Sequence, residues 1–201
     1  MIPRYEDVVA RLRENGIAYA DLPLSGGARL IVNKLGGHVV GPFLPDGECV
    51  MWINDAYGDS AAFKKLLGDG MAWLQGGERT FIAPEIQYLS KDRARFFETY
   101  TLQKQMYPGN YFITQSGATC RAAANMTLEC HNMNLGKKVL RLVKSVKPIA
   151  DPLRTLTKYK ELTQGVSYIG YEQSFTLSED IADDIVSEVW DLCQVRGGGT
   201  L

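Results

Sequence analysis

Asn125-Met126-Thr127-Leu128-Glu129-Cys130-His131 alternates without a break. Met126, Leu128 and Cys130 fall on one side of an extended chain, and Thr127, Glu129 and His131 fall on the other. That period of two is the signature of a half-buried β-strand. Working outward, residues 118–123, 110–115 and 94–102 read as further strands upstream. Downstream, 139–146 and 166–177 continue the pattern around a loop containing Pro148 and Pro152. Nearer the N-terminus, 29–35, 38–43 and 48–53 are short runs rich in branched and aromatic residues. Gly36-Gly37 and Pro45-Asp46-Gly47 turns separate them, which predicts an antiparallel meander.

Helical signals are few. Tyr5–Glu14 places Val8, Val9 and Leu12 on one face, and Asn15-Gly16 supplies a stop. Residues 54–74 are small and polar, with glycines at 58, 68 and 70 and a helical turn or two around Ser60 to Leu67. A long excursion of this kind usually builds a site or an interface. Residues 178–189 stay open: Ile181, Ile185 and Val189 fit a helical stripe, while 187–195 also reads as a strand. Many short strands at even spacing predict an all-β antiparallel sandwich or barrel. The expected organisation is an N-terminal helix over 1–16 and a β-sandwich domain over 17–201. Arg196-Gly197-Gly198-Gly199-Thr200-Leu201 reads as a turn leading into another strand, so the domain is expected to be truncated, the N-terminal part of a longer protein.

Composition narrows the function classes. Lysine and arginine total 22 against 23 acidic residues, a net charge of −1. That balance leaves no electrostatic footprint for nucleic acid or an anionic membrane. No apolar run approaches the ~20 residues of a membrane span, and the charged N-terminus lacks a signal-peptide core. A cytoplasmic protein is expected. The four cysteines (Cys49, Cys120, Cys130, Cys193) are scattered without a C-x-x-C pair, which argues for reduced thiols and against a metal site. No Gly-x-Gly-x-x-Gly, P-loop, Gly-x-Ser-x-Gly or His-Glu-x-x-His motif is present, and no cofactor is expected.

The residues with most chemistry lie in Trp73-Leu74-Gln75-Gly76-Gly77-Glu78-Arg79-Thr80-Phe81-Ile82-Ala83-Pro84-Glu85. Aromatic faces, a glycine pair, a guanidinium and two carboxylates are the parts a carbohydrate site uses. Motifs follow in order: Leu35-Gly36-Gly37-His38-Val39-Val40-Gly41-Pro42-Phe43, then Gly76-Gly77-Glu78-Arg79, then Tyr168-Ile169-Gly170-Tyr171-Glu172, then Trp190-Asp191-Leu192-Cys193-Gln194-Val195. This order resembles the galactose mutarotase-like (aldose 1-epimerase-like) superfamily, in its uncharacterised bacterial branch. The resemblance runs from about residue 25 onward. It implies a large antiparallel β-supersandwich with a cleft open to sugars. Two departures stand against the enzymes of that superfamily. The strand that carries their catalytic base is missing, and so is their Asn-His segment around a second histidine.

Mutarotation needs a base for the anomeric hydroxyl and an acid for the ring oxygen. His131, sharing a polar face with Glu129, and Glu85 are the candidate catalytic pair; a solvated cross-strand pair is the ordinary alternative for His131. Trp73, Glu78, Arg79, Glu172, Trp190 and Gln194 are the candidate sugar-binding residues. Arg79 would grip hydroxyls or a carboxylate in its fork, or else pin its loop through an ion pair with Glu78 or Glu85. The tryptophans would supply faces for a pyranose ring, or else fill core. His38, in a valine-rich strand, reads as a packed residue. The expected partner is a sugar or glycan. Catalysed anomer exchange, binding without turnover and a purely structural sandwich all remain open, as does the oligomeric state.

Overall fold

The alternation around Leu128 belongs to a strand of 12 residues. The computed structural model describes residues 2–180, 184 and 186–197. Its strands are β1 (Tyr19–Pro23), β2 (Arg29–Asn33), β3 (Val39–Phe43), β4 (Glu78–Ala83), β5 (Phe112–Ser116), β6 (Thr119–Cys130), β7 (Gly136–Pro148), β8 (Tyr171–Glu179) and β9 (Glu188–Cys193). Every pairing is antiparallel. One sheet has the order β1-β2-β3-β4-β9 and the other β5-β6-β7-β8. The fold is therefore mostly β, and no barrel closes among the described residues.

The sheets bury a common core. Leu22, Leu30, Val32 and Ile82 come from the first sheet, and Met126, Leu128, Leu140 and Leu142 from the second. Each large apolar side chain removed from water stabilises the fold by roughly 1.5–3 kcal/mol, whereas an exposed ion pair such as Lys137–Glu129 contributes about 0–1 kcal/mol. Apolar alternation therefore decides which way β6 faces. The far side of the first sheet is covered by α1 (Tyr5–Glu14) and α2 (Ser60–Gly68). Val8, Leu12 and Phe63 pack there against Ile31, Val40 and Phe43. Cys49, Cys120 and Cys130 are buried among these apolar groups.

Several expectations are corrected. Residues 94–102 form no strand. Asp92 caps a short 3-10 turn at Arg93–Arg95 by accepting the Ala94 N–H at 2.9 Å, and Phe96 packs on Phe97 and Tyr100. Local side-chain bonds of this kind compete with a sheet ladder. Residues 48–53 are held by isolated bridges rather than a continuous strand. β8 starts only at Tyr171, and the two runs expected at 118–123 and 125–131 are one strand. Over 178–189, the helical alternative rests on Ile181 and Ile185, which lie outside the described residues; Glu188–Cys193 is a strand. Gly198 to Leu201 of the expected terminal turn also lie outside them.

Strand edges are closed by glutamine side chains. β5 covers β6 only as far as Ala123. Beyond it, Gln105 Oε1 accepts the Thr127 N–H at 2.6 Å, and Gln103 Oε1 accepts the Glu129 N–H at 2.7 Å. Gln103 Nε2 donates back to the Glu129 carbonyl at 2.9 Å. Gln115 does the same on β1, exchanging bonds of 3.3 and 3.1 Å with the Asp21 backbone. A primary amide carries the donor and acceptor of a peptide unit. It therefore satisfies an edge that would otherwise present unpaired groups.

Candidate functional site

The segment opening at Trp73 is held from below by Gln75. Its fully buried amide accepts from Asn33 Nδ2 at 3.0 Å and Tyr57 Oη at 2.9 Å, and donates to the Ala72 carbonyl at 2.6 Å. Gly76 and Gly77 then turn the chain into β4 with φ of 85° and 73°. A Cβ on Gly77 would overlap the Val39 carbonyl, so the approach of β4 to β3 requires glycine. The Gly77 N–H donates to the Trp52 carbonyl at 2.8 Å, and its own carbonyl accepts from the Gln194 N–H at 2.9 Å.

From this turn β4 sends alternate residues to opposite faces. Arg79 and Phe81 take one. The guanidinium carbon sits 5.1 Å from the Trp73 ring centroid and 4.9 Å from that of Phe81. Phe81 in turn packs on Tyr107 at 4.5 Å and Trp190 at 5.1 Å, and Tyr107 meets Trp73 edge-on at 6.3 Å. Trp190 remains 44% exposed, so this aromatic cluster reaches solvent. Neither expected ion pair of Arg79 forms. Its Nε and Nη1 are buried without a hydrogen-bond partner among the described residues, and so is the Tyr107 hydroxyl.

Glu78 and Thr80 face the second sheet. The Glu78 carboxylate accepts from Tyr171 Oη at 2.7 Å and from Gln173 Nε2, and burial raises its pKa. Thr80 donates to Asp191 at 2.7 Å. Lys144, 1% exposed, lies 3.7 Å from Asp191, donates to the Gly37 carbonyl at 3.2 Å and sits 5.5 Å from the Phe175 centroid. Burial lowers its pKa, with Asp191 and Glu78 opposing. His38 is fully buried beside this cluster. Its Nδ1 is 3.3 Å from the Gly76 carbonyl, while Nε2 lacks a partner among the described residues. Burial depresses its pKa to about 3, so the ring is neutral and packed, as its valine-rich strand predicts.

The remaining candidates separate. Glu85 opens the short helix α3 (Glu85–Tyr88) and is half-buried. Of Trp73, Arg79 and Glu85, Trp73 and Arg79 are in direct contact. His131 follows the end of β6, with its backbone N–H on the Gln87 carbonyl at 2.9 Å. It lines a groove of about 350 Å³ with Lys91, Gln103, Lys104, Thr127 and Glu129. Glu129 is turned to Lys137 at 3.0 Å instead of to the imidazole. Glu172 points to the outer face of the second sheet and pairs with Lys147 at 3.0 Å. Gln194 is held by its backbone between Gly77 and Trp52, its Oε1 buried without a partner among the described residues.

Sequence reasoning missed Tyr107, Lys144, Tyr171, Gln173 and Asp191 as members of these clusters. Phe81 lies in the segment opening at Trp73, but sequence reasoning assigned that segment no strand, so the face it shares with Arg79 was missed as well. Tyr107 comes from a stretch without periodicity, and nothing local marks it. Among the described residues no group of three His, Cys, Asp or Glu side chains is placed to hold a metal ion. No helix there is long and apolar enough to cross a membrane. Comparison with protein-family models, with curated proteins and with solved structures finds no match to this chain.

Proposed function

We propose that this protein recognises carbohydrate through the Trp73–Arg79–Phe81 cluster and that it binds without turnover. The observation that carries the reading is a guanidinium held against two aromatic rings, with a third ring, Trp190, reaching solvent beside them. Sugars present apolar C–H faces to aromatic rings and hydroxyls to planar donors, so the cluster has both kinds of contact. The order of motifs that resembles the galactose mutarotase-like superfamily supports the same reading. Binding without exchange is favoured because the proton-transfer candidates are not assembled: Glu129 is engaged by Lys137, and Glu85 does not line the groove of His131. Titration calorimetry against a panel of free aldoses and sugar acids tests this. Saturable binding that Trp190→Ala weakens about tenfold is expected. Absence of binding to every sugar sinks the proposal.

A second reading, an aldose 1-epimerase-like isomerase, draws on the groove that His131 and Glu129 line together. It predicts anomer interconversion, followed by exchange NMR, faster than in buffer alone and lost in His131→Ala. An unaccelerated rate across the panel removes it.

A further inference from the structure

Arg79 is a half-buried cation with no anion paired to it among the described residues. Its Nε and Nη1 have no hydrogen-bond partner among the described residues, and neither neighbouring carboxylate is its counter-ion. Glu78, next in sequence, is turned to the other face of β4 and engaged by Tyr171 and Gln173. A buried charge without a partner is costly, and such a group is stable only where something compensates it. The faces of Trp73 and Phe81 compensate in part, through the ring quadrupoles. They leave the in-plane N–H donors untouched, because stacking uses the face of the guanidinium and hydrogen bonding uses its edge.

The free edge is not alone. Tyr107 packs on both rings that hold Arg79, at 6.3 Å from Trp73 and 4.5 Å from Phe81. Its hydroxyl is buried as well and has no hydrogen-bond partner among the described residues. Two guanidinium nitrogens and one phenol oxygen thus have no partner among the described residues around one set of aromatic rings, and all three can donate. The guanidinium nitrogens can only donate and the phenol can donate as well as accept, so all three suit the oxygens of an oxyanion. A neutral sugar hydroxyl would satisfy one donor by accepting and would bring a donor of its own. A carboxylate or phosphate accepts at every oxygen and neutralises the charge.

We infer that the cluster of Arg79, Tyr107, Trp73 and Phe81 is a subsite for the oxyanion of an acidic monosaccharide, with the aromatic rings taking the sugar and the donor edge taking the charge. The inference rests on the carbohydrate reading above and narrows it to anionic sugars.

Calorimetry with the whole chain tests it, using glucuronate and galacturonate for a carboxylate, glucose 6-phosphate for a phosphate, and glucose and galactose as neutral controls. Acetate and inorganic phosphate report on the anion without the sugar. Acidic sugars are expected to bind about tenfold or more tighter than their neutral counterparts. Arg79→Gln and, independently, Tyr107→Phe should each erase most of that preference; circular dichroism establishes that each variant is folded. Tyr107→Phe keeps the ring and serves if Arg79→Gln does not fold. The stronger of the two acidic classes identifies the source of the oxyanion. Equal binding of neutral and acidic sugars overturns the subsite and leaves the carbohydrate reading intact. Binding of acetate or phosphate as tight as that of any acidic sugar keeps the oxyanion site and overturns the carbohydrate reading. No binding of any probe overturns both.

Discussion

Replacing Lys144 by methionine tests whether the charge between the sheets holds them or merely tolerates burial. The side chain is 1% exposed and lies 3.7 Å from the Asp191 carboxylate. At an effective dielectric constant of about 20, that separation gives a gross attraction of about 4 kcal/mol. The Gly37 carbonyl, 3.2 Å away, adds a charge-assisted hydrogen bond of roughly 1.5–3 kcal/mol. Against these stands the cost of taking the ammonium out of water, several kcal/mol, which methionine does not incur. Methionine fills nearly the same space, so no cavity opens. What decides the outcome is the partner left behind: Asp191 would keep Thr80 and Gln173 but lose its cation, with Glu78 close by. Removing one member of a buried pair costs about 3–5 kcal/mol, and the 21% exposure of Asp191 places this case at the low end. We expect Lys144→Met to lose about 3 kcal/mol at pH 7, a fall of about 6–12 °C in Tm for a chain of this size. Thermal and urea unfolding followed by far-ultraviolet circular dichroism measure it. Adding Asp191→Asn to the same chain should recover part of the loss. A single variant as stable as the parent at pH 7 would show that desolvation of the lysine cancels its bonds, and the reasoning would fail.

Three further outcomes follow from the same region. Burial raises the Glu78 pKa, so its contribution is fully present below its unfolded value of 4.5 and is lost as pH rises above that value. Glu78→Gln should remove this fall, so its stability relative to the parent grows with pH in urea titrations; a constant difference refutes the shift. His38 works in the opposite sense. Its unfolded pKa of 6.5 and folded pKa of about 3 mean stability is lost as pH falls through that window. His38→Asn, which keeps a donor for the Gly76 carbonyl, should be flatter there, and a parallel acid transition would count against a neutral buried ring. Gly77→Ala should cost about 3 kcal/mol or more, through the left-handed φ and the overlap with the Val39 carbonyl. A near-parental midpoint in urea would contradict the tight β3–β4 approach.

What was legible in the sequence tracks what is local. The alternation at Met126, Leu128 and Cys130 predicts β6 because period two is a property of one chain segment. The stripe of Val8, Val9 and Leu12 predicts α1 for the same reason. Trp73 and Arg79 were legible as neighbours because only a short glycine turn separates them along the chain. Partnerships made across the sheets were not. Lys144 looks like one more surface lysine of β7, yet it takes an inward position in the alternation, between Leu142 and Val146. Glu78 looks like an ion-pair partner for Arg79, but adjacent strand residues face apart. Residues 94–102 carry enough aromatic character to suggest a strand. Asp92 and Thr99 instead offer the backbone closer bonds than any sheet edge would.

The glutamine amides along β6 have a consequence for how alignment is stored. A backbone ladder is blind to side chains: any two strands can slide by two residues and bond as before. Where Gln103 and Gln105 replace a strand, the bonds exist only at those two addresses, opposite Glu129 and Thr127. The alignment of the irregular chain that delivers Tyr107 is thus written in residue identity, like teeth cut in a key, and a slip of one position leaves no bond to be made. The path leading to the Arg79 cluster is encoded letter by letter at a place where most proteins would rely on the uniform grammar of the peptide.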